Sequence, residues 1–215
     1  MYKKKPLFIT FEGIEGCGKT YQSLRLYKKL KKRKIPTILT REPGGTISAE
    51  KIRAVILDDY FHPDSKEKFD KYTDTLLYLA SRNEHIKNKI RPAILKKKVV
   101  ICDRFVDSTM AYQVFGKKVD KSLVDFIHNK ILQKLKPDLT IILKVNLSKA
   151  MKRIKKRKNN NRYDRFPISF YKRVQNSFLK IGGSNKKRYI ILDNSKDTTD
   201  VESIIYKKCL NLLMK

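Results

Sequence analysis

The chain has 215 residues, of which 40% are hydrophobic and 33% charged, and its formal net charge is +30 at pH 7. A chain of this length can bury one sizeable core, and its hydrophobic share excludes a disordered polymer. No apolar run in the sequence approaches the roughly 18–20 residues that cross a bilayer, and the basic start lacks the apolar core of a signal peptide. We therefore expect one domain, spanning residues 1–215, in a soluble, cytoplasmic protein.

The positive charge comes from 51 lysines and arginines against 21 acidic residues. A surface this basic attracts polyanions, so nucleic-acid binding is one hypothesis. The lysines are spread along the whole chain, which favours solvated surface charge over a dedicated nucleic-acid site. Nucleic acid is therefore not expected as a partner.

The first half of the chain alternates between apolar runs and amphipathic segments. In order, the patterns predict a strand at 7–11, a helix at 19–34, a strand at 36–40, a helix at 47–57, a loop or short helix at 58–71, and a helix at 72–95. Pro92 is expected to kink or break the last of these helices because proline cannot donate the helical hydrogen bond.

The second half continues the alternation. The patterns predict a strand at 99–102, helices at 108–112 and 120–135, a strand at 139–145, helices at 148–158 and 168–181, a strand at 188–192, and a final helix at 200–213. Strands that alternate with helices of this length are typical of a parallel, doubly wound α/β sheet.

The turn after the first strand matches a phosphate-binding loop in full. Residues 13–20 read GIEGCGKT, the pattern G-x-x-x-x-G-K-[ST], and they lie between a predicted strand and a predicted helix. Glycines let the backbone amides approach phosphate oxygens, the lysine can reach the β- and γ-phosphates, and the threonine hydroxyl can ligate Mg²⁺. We predict that ATP with Mg²⁺ binds here, at Gly13, Ile14, Glu15, Gly16, Cys17, Gly18, Lys19 and Thr20.

The roles of Asp103 and Cys17 each allow two interpretations. Asp103 ends the third predicted strand, where a Walker-B-type carboxylate would hold Mg²⁺ if that strand neighbours the first; a turn aspartate is the alternative. Cys17 is interpreted as a small residue in a tight turn, with a reactive thiol as the alternative. It and the other two cysteines, Cys102 and Cys209, lack metal-ligand spacing, and their odd number favours a reducing compartment.

Several motifs, in order along almost the whole chain, resemble bacterial thymidylate kinases. Beyond the phosphate-binding loop they are TREPGGT at 40–46, IR at 52–53, LASRNEH at 79–85, DRFVDSTMAYQ at 103–113, PDLT at 137–140 and DRF at 164–166. The resemblance implies a P-loop NTPase fold with a five-stranded parallel sheet flanked by helices. It also implies one nucleoside monophosphate kinase domain with a short basic lid at about 155–166, a homodimer, and transfer of the γ-phosphoryl of ATP to dTMP.

The resemblance further assigns roles to individual residues. It implies an acceptor-phosphate clamp of Arg41, Arg53 and Arg104, and a base pocket of Tyr78, Arg82, Thr109, Tyr112 and Gln113. Guanidinium groups suit the first task because they bind phosphate with two parallel hydrogen bonds. Glu15 resembles the acid of the family's P-loop, which approaches the acceptor sugar or the metal.

Gly16 indicates where the catalytic arginine should be. One group of these kinases has an arginine at this position, and the other has glycine here with a catalytic arginine in the lid; this sequence resembles the second group. The candidates are Arg157, Arg162 and Arg165, with Arg162 preferred, so the predicted catalytic set is Glu15, Lys19, Arg104 and Arg162. A lid arginine would stabilise the charge on the migrating phosphoryl group.

The sequence departs from the family pattern at Phe105, Lys144 and Pro167, where tyrosine, aspartate and glutamate are usual. These departures affect the surroundings of the acceptor phosphate and the lid. Three alternatives stay open: a kinase for another nucleotide or nucleoside, a nucleic-acid-dependent NTPase, and a non-catalytic nucleotide-binding protein.

Overall fold

The structure is a computed structural model that describes residues 6–57, 69–156, 162–196 and 199–214. Within these ranges five strands form one parallel sheet in the order β2-β3-β1-β4-β5. The strands are β1 Phe8–Glu12, β2 Thr37–Arg41, β3 Val99–Asp103, β4 Leu139–Lys144 and β5 Tyr189–Asp193. The predicted five-stranded parallel sheet is thus confirmed, and each strand end lies within one residue of its predicted position.

Helices cover the sheet. They are α1 Lys19–Lys32, α2 Ile47–Leu57, α3 Lys71–His85, α4 Arg91–Leu95, α5 Val106–Thr109, α6 Lys121–Leu132, α7 Leu147–Lys155, α8 Ile168–Gly183 and α9 Asp200–Leu213. A short 3₁₀ turn, Arg162–Arg165, precedes α8. No helix within the described ranges is long and apolar enough to cross a membrane.

The core lies between the central strands and the helices. All five residues of β1 are buried, and Ile9, Ile101 and Ile141 on the three central strands have no exposed surface. Burying one such side chain contributes about 1.5–3 kcal/mol, so these strands are fixed in register by the apolar surface they hide. Helices α1, α4 and α8 pack against the sheet, which explains why its central strands are rich in apolar residues.

Of the kink or break expected at Pro92, the break does not occur, because helical structure continues through this residue. The chain passes from α3 through a π-helical turn, Ile86–Ile90, directly into α4. A π turn widens the backbone by one residue, which accommodates a proline that cannot donate to the preceding turn. A second π-helical segment, Met110–Gly116, continues α5, so the predicted short helix at 108–112 runs from residue 106 to residue 116.

The parallel order gathers several loops at one edge of the sheet. Phe11 of β1 pairs with Asp103 of β3, so the phosphate-binding loop after β1 lies beside the turn after β3. Arg41 of β2 also pairs with Asp103, which brings the loop after β2 to the same edge. Ligands of doubly wound sheets bind at this carboxyl edge.

Candidate active site

The backbone of the phosphate-binding loop requires glycine. Gly13 has a φ of 138°, and a Cβ atom there would lie 2.5 Å from the carbonyl oxygen of Leu143. Gly16 has a φ of 73°, and its Cβ would lie 2.6 Å from the carbonyl oxygen of Ala150 in α7. A side chain at either position would collide with neighbouring backbone. Glycine therefore allows the loop conformation in which backbone amides can surround a phosphate.

Lys19 and Thr20 begin α1 next to this loop. The Nζ of Lys19 is buried and donates to the carbonyl oxygen of Ile14 at 2.7 Å. The hydroxyl of Thr20 donates to Oδ2 of Asp103 at 2.5 Å, which confirms that the two predicted metal residues are neighbours. Oδ1 of Asp103 is buried and has no hydrogen-bond partner among the described residues. A hydroxyl and an unpaired carboxylate oxygen are the hard ligands that Mg²⁺ prefers, so these residues fit the ion.

Arg104 connects the turn after β3 to the phosphate-binding loop. Its backbone has a φ of 72°, and its guanidinium donates to the carbonyl oxygen of Gly13 at 3.0 Å and to Oε1 of Glu15 at 2.7 Å. Burial alone would lower the pKa of Arg104, but the acidic groups around it, Tyr112 and Glu15 first, raise that pKa well above its usual range. Tyr112 also donates to the other carboxylate oxygen of Glu15. The predicted catalytic acid therefore orients two groups of the predicted acceptor site.

A cavity of about 180 Å³ opens beside these residues. All eight predicted substrate residues line it, together with Glu15, Lys19, Thr20 and Asp103 from the nucleotide side. Five other residues that line the cavity have no role predicted from the sequence: Glu42, Pro43, Leu57, Ser108 and Tyr163. Glu42 and Pro43 lie within the TREPGGT motif and could have been found there, whereas Leu57 carries no motif signal.

Arg82 is the largest of the nearly fully buried residues in the predicted base pocket. Only 2% of it is exposed, and Nε donates to Glu42 at 2.7 Å. Nη1 lies 2.7 Å from the Thr109 hydroxyl and 2.8 Å from Nε2 of His128, and Nη2 donates to the carbonyl oxygen of Phe105 at 3.0 Å. Burial would raise the pKa of Glu42, but the Arg82 guanidinium and the hydrogen bond from His85 hold it below its usual value. Arg82 is thus held as a buried, paired cation.

Gln113 and Tyr78 complete the base pocket. Nε2 of Gln113 is buried and has no hydrogen-bond partner within the described ranges, so a donor is available to a ligand carbonyl. Tyr78 packs edge-on against Tyr163 with ring centroids 6.0 Å apart, and burial raises the pKa of Tyr78. An aromatic wall beside an unpaired amide donor suits a flat heterocycle with carbonyl groups.

Arg41 and Arg53, the other two clamp residues, are arranged by helix α2. Nη2 of Arg41 lies 3.0 Å from both carboxylate oxygens of Glu50, and Nη1 of Arg53 donates to the carbonyl oxygen of Pro43 at 2.7 Å. Burial, followed by the nearby charge of Arg41, lowers the pKa of Arg53. Two cations in one cavity repel each other, and a bound phosphate would relieve this repulsion.

The lid candidates are only partly described. Residues 157–161, including Arg157, lie outside the described residues, and Arg165 is exposed in the 3₁₀ turn. Arg162 binds the carboxylate of Asp74 and donates from Nε to the carbonyl oxygen of Ile56 at 2.6 Å. It does not line the cavity, although its neighbour Tyr163 does. These contacts give no support to the preference for Arg162 at the migrating phosphoryl group.

Glu42, His85 and Cys102 approach each other closely enough to share a metal ion. Hydrogen bonds already occupy them: Nδ1 of His85 lies 3.0 Å from Glu42, and Nε2 lies 2.7 Å from the Thr40 hydroxyl. Burial raises the pKa of Cys102 well above its usual range, which disfavours the thiolate that metals require. This cluster is therefore a hydrogen-bonded support for the loop after β2.

A phosphate-binding loop, a neighbouring hydroxyl and carboxylate that fit Mg²⁺, and an arginine-lined pocket at one sheet edge define an ATP-dependent nucleotide kinase of the P-loop class. The sequence profile described as thymidylate kinase matches residues 11–205. The chain belongs to the thymidylate kinase family.

Thymidylate kinases from several bacteria are similar to this chain over nearly its full length. A thymidylate kinase from Mycoplasma capricolum subsp. capricolum is 36% identical over 211 residues, which cover 97% of this chain and 95% of the relative. One from Wolbachia sp. subsp. Brugia malayi is 40% identical, covering 94% of this chain and 95% of the relative. The crystal structure of thymidylate kinase from Ehrlichia chaffeensis matches with a TM-score of 0.72 and 32% identity, over 97% of this chain and 98% of that chain.

Proposed function

We propose that this chain transfers the γ-phosphoryl group of ATP to dTMP, giving ADP and dTDP for dTTP synthesis. The observation that carries the proposal is the cavity, which Lys19 of the phosphate-binding loop lines together with Arg82 and Gln113 of the base pocket. A donor phosphate and an acceptor nucleotide would meet there within one enclosed space. A single domain spanning residues 1–215, a homodimer and a cytoplasmic location belong to the same proposal and rest on the family resemblance.

On the donor side, the backbone amides of residues 13–20 and the ammonium of Lys19 would hold the β- and γ-phosphates of ATP. Thr20 and Asp103 would hold Mg²⁺, which supplies positive charge to the phosphates when bound. The hydrogen bond between Thr20 and Asp103 and the unpaired Oδ1 of Asp103 support this role.

On the acceptor side, Arg41, Arg53 and Arg104 would bind the phosphate of dTMP. Tyr78 would lie against the thymine ring, and Arg82 and Gln113 would donate hydrogen bonds to its carbonyl groups. Their shared cavity supports this grouping.

The reaction forms a bond between an acceptor phosphate oxygen and the γ-phosphorus while the bond from that phosphorus to the bridging oxygen breaks. No general base is needed because the acceptor phosphate is already an anion. Lys19, Arg104 and a lid arginine, from the candidates Arg157, Arg162 and Arg165, would stabilise the transferred charge. Glu15 would keep Arg104 oriented through their ion pair at 2.7 Å.

The proposal is tested by measuring ADP release with and without dTMP. We expect release to depend on dTMP and to be abolished in Lys19→Ala, because the lysine would contact the transferred group. Lys28→Ala, an exposed position on the same helix, is the matched control and should keep full activity. Activity retained in Lys19→Ala, or ADP release that is indifferent to dTMP, would contradict the proposal.

A further inference from the structure

His128 lies on α6 behind the base pocket. Only 6% of the residue is exposed, and it is absent from the cavity lining. Its Nε2 lies 2.8 Å from Nη1 of Arg82. A guanidinium group only donates hydrogen bonds and stays protonated in proteins, so Nε2 of His128 must be the acceptor. The ring is therefore neutral and carries its proton on Nδ1.

The electrostatic surroundings agree with a neutral ring. Burial and then the charge of Arg82 lower the pKa of His128 to about 3. A protonated His128 would place two cations in contact and leave one of the two N–H groups of Nη1 without an acceptor.

The neighbours of Arg82 leave one donor for a ligand. Arg82 has five N–H groups, and four acceptors surround it in the described part of the chain: Glu42, Thr109, His128 and the carbonyl oxygen of Phe105. The remaining N–H belongs to Nη2, on a residue that lines the cavity. Together, these four hydrogen bonds restrict rotation of the planar Arg82 guanidinium. They therefore set the direction of the remaining Nη2 N–H.

We propose that His128 is a positioning residue for recognition of the acceptor's base: by accepting from Nη1, it fixes Arg82 so that the free Nη2 donor meets a carbonyl group of the base. This inference rests on the proposed function. The unpaired Nε2 of Gln113 is a second donor in the same cavity. Two donors favour a base edge with carbonyl groups, such as thymine, over the amino-bearing edge of cytosine.

Removing the imidazole of His128 should weaken recognition of the base of dTMP and leave ATP binding unchanged. In His128→Phe a ring of similar shape remains, but one N–H of Nη1 loses its buried partner, so three contacts instead of four hold the orientation of Arg82. We expect the KM for dTMP to rise about tenfold, the size of effect typical for a charged hydrogen-bonding group left unpaired. The preference for dTMP over dCMP, expressed as the ratio of kcat/KM values, should fall, while the KM for ATP should be unchanged.

Two further variants separate positioning from simple packing. His128→Gln places an amide oxygen near the position of Nε2, so it should restore the KM for dTMP and the preference over dCMP. Asn129→Ala, an exposed position next in α6, is the control and should match the native enzyme. Equal rises in the KM values for dTMP and ATP, or a preference over dCMP that is unchanged in His128→Phe, would overturn the proposal.

A measurement on the native protein covers the case in which His128→Phe fails to fold. Nitrogen-15 NMR of the histidine rings, with His128 assigned from the spectrum of His128→Gln, should show a proton on Nδ1 and none on Nε2 at pH 5. A proton on Nε2 would overturn the proposal independently of activity. Native protein that leaves dTMP unphosphorylated would instead refute the proposed function, while the ring measurement would still report on the contact with Arg82.

Discussion

Arg104 combines a left-handed backbone with contacts to both sides of the site. A φ of 72° costs a residue with a side chain about 1–2 kcal/mol, so surrounding contacts must hold it in place. Its amide donates to the carbonyl oxygen of Phe11 at 2.9 Å, and its guanidinium reaches Gly13 and Glu15. This conformation turns the side chain back toward the phosphate-binding loop, where an acceptor phosphate would need it.

Arg162 offers a prediction at the scale of the single residue. Asp74 is fully buried and also binds Lys117 at 2.7 Å and the hydroxyl of Tyr163, which lines the cavity. Arg162→Ala would loosen this cluster, so we expect a higher KM for dTMP and a kcat that changes less than about tenfold. The measurement is steady-state kinetics with dTMP varied.

Lys172→Ala, at an exposed position of α8, is the control for this variant and should keep both constants. A fall in kcat of about 10³ with the KM unchanged would instead identify Arg162 as the residue that stabilises the transferred phosphoryl group.

The sequence predicted the members of the site better than their contacts. Motifs named the eight acceptor residues that line the cavity, because each lies within or beside a recognisable pattern. His128 carries no such signal, since a histidine in an amphipathic helix reads as ordinary core. Arg82 and His128 are 46 residues apart in the sequence, and they meet because α6 packs against α3. No local sequence pattern predicts such a contact.

At the scale of elements, the phosphate-binding loop depends on α7. A Cβ at Gly16 would overlap the backbone of Ala150, and Nη1 of Arg153 donates to the carbonyl oxygen of Gly16 at 3.1 Å. Helix α7 is itself fixed by Asn146, whose side chain accepts from the amide of Lys149. The loop and helix therefore pack as one unit.

Because of this packing, adding one methyl group at Gly16 should destabilise the protein. Gly16→Ala combines an unfavourable positive φ with the overlap on α7, so we expect a loss of more than about 1 kcal/mol in the free energy of unfolding and a higher KM for ATP. Gly183→Ala is the matched control, because a Cβ there meets nothing within 4 Å and the residue is helical. Denaturant unfolding compares the two, and equal stabilities would contradict the packing described.

The order and type of the elements were predictable, but their internal geometry was not. Alternating strands and helices predicted the parallel sheet because each pattern has a distinct period. The apolar residues of the two π-helical segments are spaced almost as in an α-helix, so the sequence does not predict a π-helix. Pro92 is the one residue in these regions that indicates an irregular helix. The sequence predicts a loop or short helix at 58–71, of which the structure describes only 69–71, and Lys71 begins α3.

At the scale of the whole molecule, stability should depend on a buried acid beneath the site. Glu12 accepts from the amide of Phe105 at 2.7 Å and from the hydroxyl of Ser108 at 2.6 Å. Burial and the neighbouring charge of Asp107 raise the pKa of Glu12 to about 8.

The pH dependence follows from this shift. Between the unperturbed value of 4.5 and about 8, the folded state holds a proton that the unfolded state releases, so the stability contributed by Glu12 is lost as the pH rises. We expect Glu12→Gln to flatten the fall in the free energy of unfolding over this range, as measured by denaturant titration at several pH values. Asp125→Asn, at an exposed ion pair on α6, is the control. A native slope that persists in Glu12→Gln would contradict the assignment.

Composition alone could not separate the functions considered for the whole molecule. A net charge of +30 suits nucleic acid and anionic nucleotides equally, since both are gathered by the same long-range attraction. What distinguishes a nucleotide kinase from a nucleic-acid-binding protein is the order of the short motifs and the cavity where their residues converge.

Acceptor choice provides the decisive test of phosphoryl transfer to thymidylate. The values of kcat/KM should be measured with ATP and each of dTMP, dUMP, dCMP and AMP, with the diphosphate products identified by chromatography. The arrangement of Arg82 and Gln113 predicts dTMP as the best acceptor, with dTDP as its product, and poor use of dCMP and AMP. A preference for AMP or dCMP, or the absence of dTDP, would contradict it.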